Sequence, residues 1–220
     1  MLPDTSARMI EQACVTVRKG EERGRGVLVD GELILTAAHC VTHTIEGHMV
    51  LGDYFVQEIE TSHGLLRVQP LAVEPVADIA VVGALDDQAF FDDASAFEDW
   101  CHATPPVPLS LEDFHLQEPF PVYVLTHRGL WLEGTAELFR NDAPMLWMTV
   151  PAGIEGGTSG SPVVTAHGAL VGIVSHMGAT APAAFDKGTH GSAPRPHLTL
   201  PVWIVRRIQD GAASEEDPAT

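Results

Sequence analysis

GGTSGSPV, residues 156–163, decides how this chain is read. Ser159 stands between Gly157 and Gly160, and Pro162 leads into Val163 and Val164. Glycine at 157 can adopt a backbone conformation closed to other residues, which turns its N–H to the same side as the N–H of Ser159. Two amides beside one hydroxyl suit a serine nucleophile, because the oxyanion formed during attack needs fixed donors. A surface turn of the same composition makes no such demand. The rest of the chain must therefore supply a base for the hydroxyl and an acid to orient that base.

Two other stretches meet the demand. In LILTAAHC, residues 33–40, an apolar run passes through two alanines to His39. The small residues allow a tight helical turn that presents the imidazole at a strand end. In ADIAVV, residues 77–82, Asp78 leads an apolar run. A carboxylate at the edge of a buried strand is unfavourable unless it is paired. Alone, His39 reads as a packed histidine and Asp78 as a strand-start carboxylate. In the order histidine, aspartate, serine, each in its own segment, they form a candidate catalytic set.

The patterning around them is that of an all-β chain. Val27–Val29 and Leu33–Leu35 flank Asp30-Gly31, a hairpin signal. Further short apolar runs lie at 49–51, 65–73, 79–82, 121–125, 130–132, 136–139, 146–150, 162–165 and 170–175, separated by Gly, Pro and Asp. Residues 84–118 differ, with acidic residues, no Lys or Arg, and PPVP at 105–108. Within them 93–100 has helical character. LPVWIVRRIQDG, residues 200–211, reads as a helix with Pro201 near its start and Gly211 at its stop. The tail from 212 to 220 reads as disordered.

Composition bounds the partners. With 12 basic and 30 acidic residues the formal charge is −18, the wrong sign for nucleic acid. No apolar run reaches the roughly 18–20 residues of a membrane helix. The three cysteines, Cys14, Cys40 and Cys101, are too few and odd in number for a disulfide framework. The eleven histidines show no paired metal spacing, so neither metal nor cofactor is expected. The N-terminal stretch lacks the features of a secretion signal. A soluble cytoplasmic protein is the expectation.

At TAAHC (36–40), DIAVV (78–82), GTSGSP (157–162) and GIVSHMG (172–178), the chain resembles the trypsin/chymotrypsin-like serine proteases. The resemblance spans roughly residues 13–210 and implies two six-stranded antiparallel β-barrels packed perpendicular, with a C-terminal helix. Within it, 10–84 would form the N-terminal barrel, 85–118 an acidic connection, 119–200 the C-terminal barrel and 201–211 the helix. It implies His39 as general base, Asp78 as its orienting carboxylate, Ser159 as nucleophile, and the N–H groups of Gly157 and Ser159 as oxyanion hole. Gly153, Ile154, Ser175, His176 and Met177 would bind substrate, a polypeptide. Other serine hydrolases fit poorly. An α/β-hydrolase or a subtilisin-type enzyme places its serine at a helix start, whereas Pro162-Val163-Val164 reads as strand.

The chain departs from the family in three places. Cys40 has no partner in GRGVLV (24–29), where secreted members carry one. Thr158 precedes the serine, where zymogen-type members carry the aspartate of the activation ion pair. Gly153 and Ile154 stand near the expected base of the specificity pocket, without the acid of a trypsin-like pocket. These features lead to an expectation of a cytosolic serine endopeptidase of narrow specificity, or one activated by a partner at 85–118. The alternatives are a latent regulatory or binding protein on the same fold, and an effector protease of a bacterial defence system.

Overall fold

The computed structural model describes residues 2–41, 56–110, 118–138, 145–175, 190–200 and 204. An amphipathic helix, α1 (Asp4–Ala13), opens the chain and buries Ile10 and Ala13. Strands β1 (Cys14–Lys19), β2 (Glu22–Val29), β3 (Leu33–Thr36), β4 (Gln57–Thr61), β5 (Gly64–Glu74) and β6 (Ile79–Gly83) close into a barrel in the order β1-β2-β3-β6-β5-β4. Helix α2 (Phe91–Ala103) follows. Strands β7 (Phe120–Leu125), β8 (Trp131–Leu138), β9 (Met145–Thr149), β10 (Pro162–Val164), β11 (Leu170–Ile173) and β12 (His190–Pro194) form a second sheet, ordered β11-β10-β7-β8-β9-β12. A short helix, α3 (Pro196–Thr199), comes after it.

Read cyclically, the second sheet repeats the order of the first. The two edges of the second sheet nearly meet: Ser175 N–H donates to the Ser192 carbonyl (2.9 Å) across the gap between β11 and β12. The protein is therefore two six-stranded antiparallel barrels, one closed and one nearly so.

The continuous apolar runs of the second half have a structural reason. On β7, Val122 and Val124 enter the second core while Tyr123 and Leu125 enter the first. Val163 and Val164 divide in the same way, as do Val171 and Leu170. These strands are buried on both faces, so they lack the polar alternation of a half-solvated sheet. Each fully buried aliphatic chain contributes about 1.5–3 kcal/mol.

Several expectations need correction. Asp30-Gly31 does not form a two-residue turn. Val29 pairs with Leu33, leaving a three-residue loop in which Gly31 (φ 80°) and Glu32 (φ 57°) are the left-handed residues. The runs at 130–132 and 136–139 are not two strands; through residue 138 they form one, β8. The stretch expected to be helical, 93–100, does lie in a helix, α2, which extends further at both ends. Phe97, Trp100 and Cys101 are buried in the first core, while Asp92, Glu98 and Asp99 face solvent. The expected strand at 49–51, the tail, and the helix at 201–211 apart from buried, helical Ile204 lie outside the described residues. Among the described residues, no helix is long and apolar enough to cross a membrane.

Candidate active site

The candidate site is assembled from three backbone devices. After β3 the chain makes a single 3-10 turn at Ala38–Cys40. Ala37 and Ala38 are buried and small enough for that turn to lie against the barrel. His39 leaves the turn with its ring partly in solvent, and Lys19 Nζ donates to its carbonyl at 2.9 Å.

Asp78 immediately precedes β6 and has φ 58°, a left-handed conformation that an aspartate tolerates better than most residues. The strain aims its carboxylate at the His39 turn. Asp78 Oδ1 accepts from the His39 backbone N–H (2.9 Å), and both carboxylate oxygens face His39 Nδ1, at 3.0 and 2.8 Å. Ser175 Oγ donates to Asp78 Oδ2 at 2.6 Å. The carboxylate thus fixes both the backbone and the ring of His39, and Nε2 is left to point away from it.

The electrostatics follow from that grip. The hydrogen bond to Asp78 pushes the His39 imidazole up, to about 10, because it favours the charged ring; the Cys40 side chain adds to this and partial burial opposes it. Burial alone would raise the Asp78 carboxyl. The hydrogen bonds from His39 and Ser175 outweigh it and hold the group below its ordinary value.

The Ser159 loop is docked onto both barrels. Arg25 N–H on β2 donates to the Ser159 carbonyl (2.7 Å), and Gly160 N–H donates to the Val174 carbonyl (2.7 Å). Gly160 has φ 81°, and a Cβ there would lie 1.8 Å from the Arg25 carbonyl oxygen and 2.6 Å from Thr36 Oγ1. Glycine is the one residue that permits this approach. Gly24 serves the same contact, since a Cβ on it would lie 2.4 Å from Cys40 Sγ.

His39, Cys40, Gly157 and Ser159 line one cavity of about 350 Å³, which is flanked by Lys19 and Arg23. Ser159 Oγ donates to the Ser175 carbonyl at 3.4 Å, a long bond. The N–H groups of Gly157 (φ 87°) and Ser159 donate to no residue among those described, whereas Thr158 N–H and Gly160 N–H are both used within the fold. The two amides nearest the hydroxyl in the loop thus have no acceptor among the described residues.

Of the other expected positions, Gly153 turns the chain at φ 77° and Ile154 is buried in the second core. The Ser175 side chain donates to Asp78, its backbone N–H is taken by the Ser192 carbonyl and its own carbonyl accepts from Ser159 Oγ. His176 and Met177 lie outside the described residues. Cys14, Cys40 and Cys101 are free and buried. Among the described residues no cluster of His, Cys, Asp or Glu could hold a metal. Sequence reasoning passed over Lys19 and the Gly24–Cys40 contact. The Thr158–His127 contact (3.4 Å between Thr158 Oγ1 and His127 Nδ1) was missed as well. Lys19, Gly24 and His127 stand outside the quoted motifs.

Comparison with known proteins bears on the family and the fold. The sequence profile of the trypsin-like peptidase domain matches residues 24–173. No curated protein matches the chain significantly. Among solved structures, the chain is similar to a serine endoprotease of Yersinia pestis (18% identity, TM-score 0.60, covering 96% of this chain and 69% of that one). It is also similar to a protease of M. tuberculosis in its active form (15%, TM-score 0.57, 91% and 87%). A human astrovirus serine protease gives 19%, TM-score 0.55, with 86% and 94% covered. At these identities the structures speak for the shared fold, and the matched profile, which takes in His39, Asp78 and Ser159, speaks for the family: this chain belongs to the trypsin-like peptidases, which are serine endopeptidases.

Proposed function

We propose that the protein hydrolyses peptide bonds through an acyl-enzyme, with Ser159 as nucleophile, His39 as general base and Asp78 as the residue that orients it. The observation that carries this reading is the double grip of Asp78 on His39, N–H at 2.9 Å and Nδ1 at 2.8 Å, at the edge of a cavity shared with Ser159. Ser159 Oγ turns from the Ser175 carbonyl toward His39 Nε2 and gives up its proton there. The oxygen then attacks the substrate carbonyl carbon, and the Gly157 and Ser159 N–H groups receive the oxyanion. His39 returns the proton to the leaving amine as the C–N bond breaks. Water, deprotonated by His39, releases the acid and restores the serine.

Three buried free thiols favour a reducing compartment, the cytoplasm. An endopeptidase there must spare its host, which favours a narrow specificity. A basic activating partner would meet the exposed acids Asp92, Glu98 and Asp99 of α2. Because Phe97 and Trp100 belong to the core, charge reversal of those three acids tests the partner and deletion does not.

Incubating a peptide library with the wild type and with Ser159→Ala, and mapping cleavage by mass spectrometry, tests the activity. Cleavage by the wild type alone supports the reading. Equal cleavage by both, or none by a folded wild type with or without lysate, contradicts it.

A further inference from the structure

The oxyanion-hole loop has a mechanical problem. Gly156 and Gly157 are adjacent, and a Cβ at Gly156 would meet nothing within 4 Å. A peptide plane between two glycines rotates easily, and rotation would turn the Gly157 N–H out of the site. Something must hold it.

The turn between β7 and β8 lies against the loop at three points. Thr158, fully buried, places its Oγ1 3.4 Å from His127 Nδ1. The His127 ring covers Gly157, so that a Cβ on that glycine would sit 3.5 Å from His127 Cγ. Arg128 Nε lies 3.1 Å from Glu155 Oε2 at the start of the loop. The turn is itself rigid. Thr126 N–H donates to the Leu130 carbonyl (2.9 Å), Gly129 N–H to the Thr126 carbonyl (3.0 Å), and Leu130 N–H to Thr126 Oγ1 (3.0 Å).

We propose that His127 is a positioning residue: clamped to Thr158 and laid over Gly157, it holds the Gly157 and Ser159 amides in the geometry that receives the oxyanion. Arg128 and Glu155, both exposed, fix the entry to the loop and contribute less. The inference rests on the reading of Gly157 and Ser159 as the oxyanion hole. It adds that the hole is held by a hairpin within this chain.

Oxyanion donors act on the transition state more than on bound substrate, so loosening them lowers kcat and leaves KM. Loss of one such donor lowers kcat about 10²–10³-fold, and loosening one should lower it about 10-fold or more. The test compares His127→Leu, which keeps bulk without a ring nitrogen, with His127→Asn, whose side-chain amide can stand where Nδ1 stands. Leucine should lower kcat at unchanged KM, and asparagine should recover most of it. Thr158→Val should match leucine, and His127→Leu with Thr158→Val should be no worse than either alone. A wild-type-like kcat for His127→Leu, or additive losses in the double variant, overturns the proposal while the function stands. A second readout does not need turnover. In the Ser159→Ala protein the Gly157 amide should give a single sharp NMR resonance that broadens or splits on adding His127→Leu, and an unchanged resonance overturns the proposal.

Discussion

Replacing Asp78 by asparagine exchanges one oxygen for an amide and removes a buried charge. In the wild type Asp78 Oδ1 accepts from the His39 N–H (2.9 Å), and Oδ2 lies 2.8 Å from His39 Nδ1 and 2.6 Å from Ser175 Oγ. If the asparagine oxygen keeps the His39 N–H, its NH₂ occupies the Oδ2 position. It then donates to Nδ1, which must give up its own proton. The Ser175 hydroxyl can rotate and accept, but the imidazole cannot compensate. It is locked with the proton on Nε2, where a base is needed. In a catalytic set of this kind the corresponding exchange lowers kcat about 10⁴-fold, or about 5 kcal/mol in the barrier.

The pH dependence moves as well. With Asp78 present, His39 is pushed up to about 10, so the neutral base appears only as pH rises through that region and kcat/KM climbs into the alkaline range. With asparagine the midpoint falls back toward the ordinary histidine value near 6.5. Stability follows the same linkage. The His39 contribution is complete below 6.5 and lost as pH rises through about 10. That of Asp78 is present above 3.8 and lost as pH falls through its lowered value. Because the His39 side chain is 41% exposed, solvent screening holds the pair's contribution to about 1 kcal/mol. The assays are kcat/KM between pH 6 and 10, and NMR titration of the His39 ring in Ser159→Ala. An Asp78→Asn protein within tenfold of wild-type kcat, with an unmoved pH limb, would refute the reasoning.

Further expectations concern the loop and the thiols. Gly160→Ala places a Cβ 1.8 Å from the Arg25 carbonyl oxygen at φ 81°, so it should lower stability in urea by more than about 2 kcal/mol and abolish cleavage. Gly24→Ala should be destabilised by its 2.4 Å approach to Cys40 Sγ, and Cys40→Ala in the same chain should recover part of the loss, measured as a double-mutant cycle. Burial pushes Cys14 up to about 11 and Cys101 to about 12, so neither should alkylate with iodoacetamide at pH 8 until the protein is unfolded, as peptide mass mapping would show.

Much of the fold was legible because its strands announce themselves as apolar runs. The long β5 and the strands β6, β7, β9, β10 and β11 all fall on such runs. The elements that were not legible are held by contacts rather than by composition. Strand β4, QEIET, buries Ile59 and also Gln57, whose side chain donates to the Arg18 carbonyl. Strand β12, HGSAP, has no apolar run and exists because it pairs with β9. Helix α1 was missed because it begins without a capping side chain, while Ile10 in the core and the Trp131–Glu11 hydrogen bond (2.8 Å) tie it down. The site divides in the same way. His39, Asp78 and Ser159 stand in recognisable segments, whereas His127 is brought to Thr158 only by the β7–β8 turn.

The most direct test of the central claim is covalent labelling by a fluorophosphonate probe, with the modified residue located by mass spectrometry. Removing such a nucleophile lowers turnover about 10⁶-fold, so the contrast should be plain. The account predicts one adduct, on Ser159, in the wild type, and none in Ser159→Ala. An adduct on Ser161 or any other residue, or none on a folded wild-type protein, would contradict it.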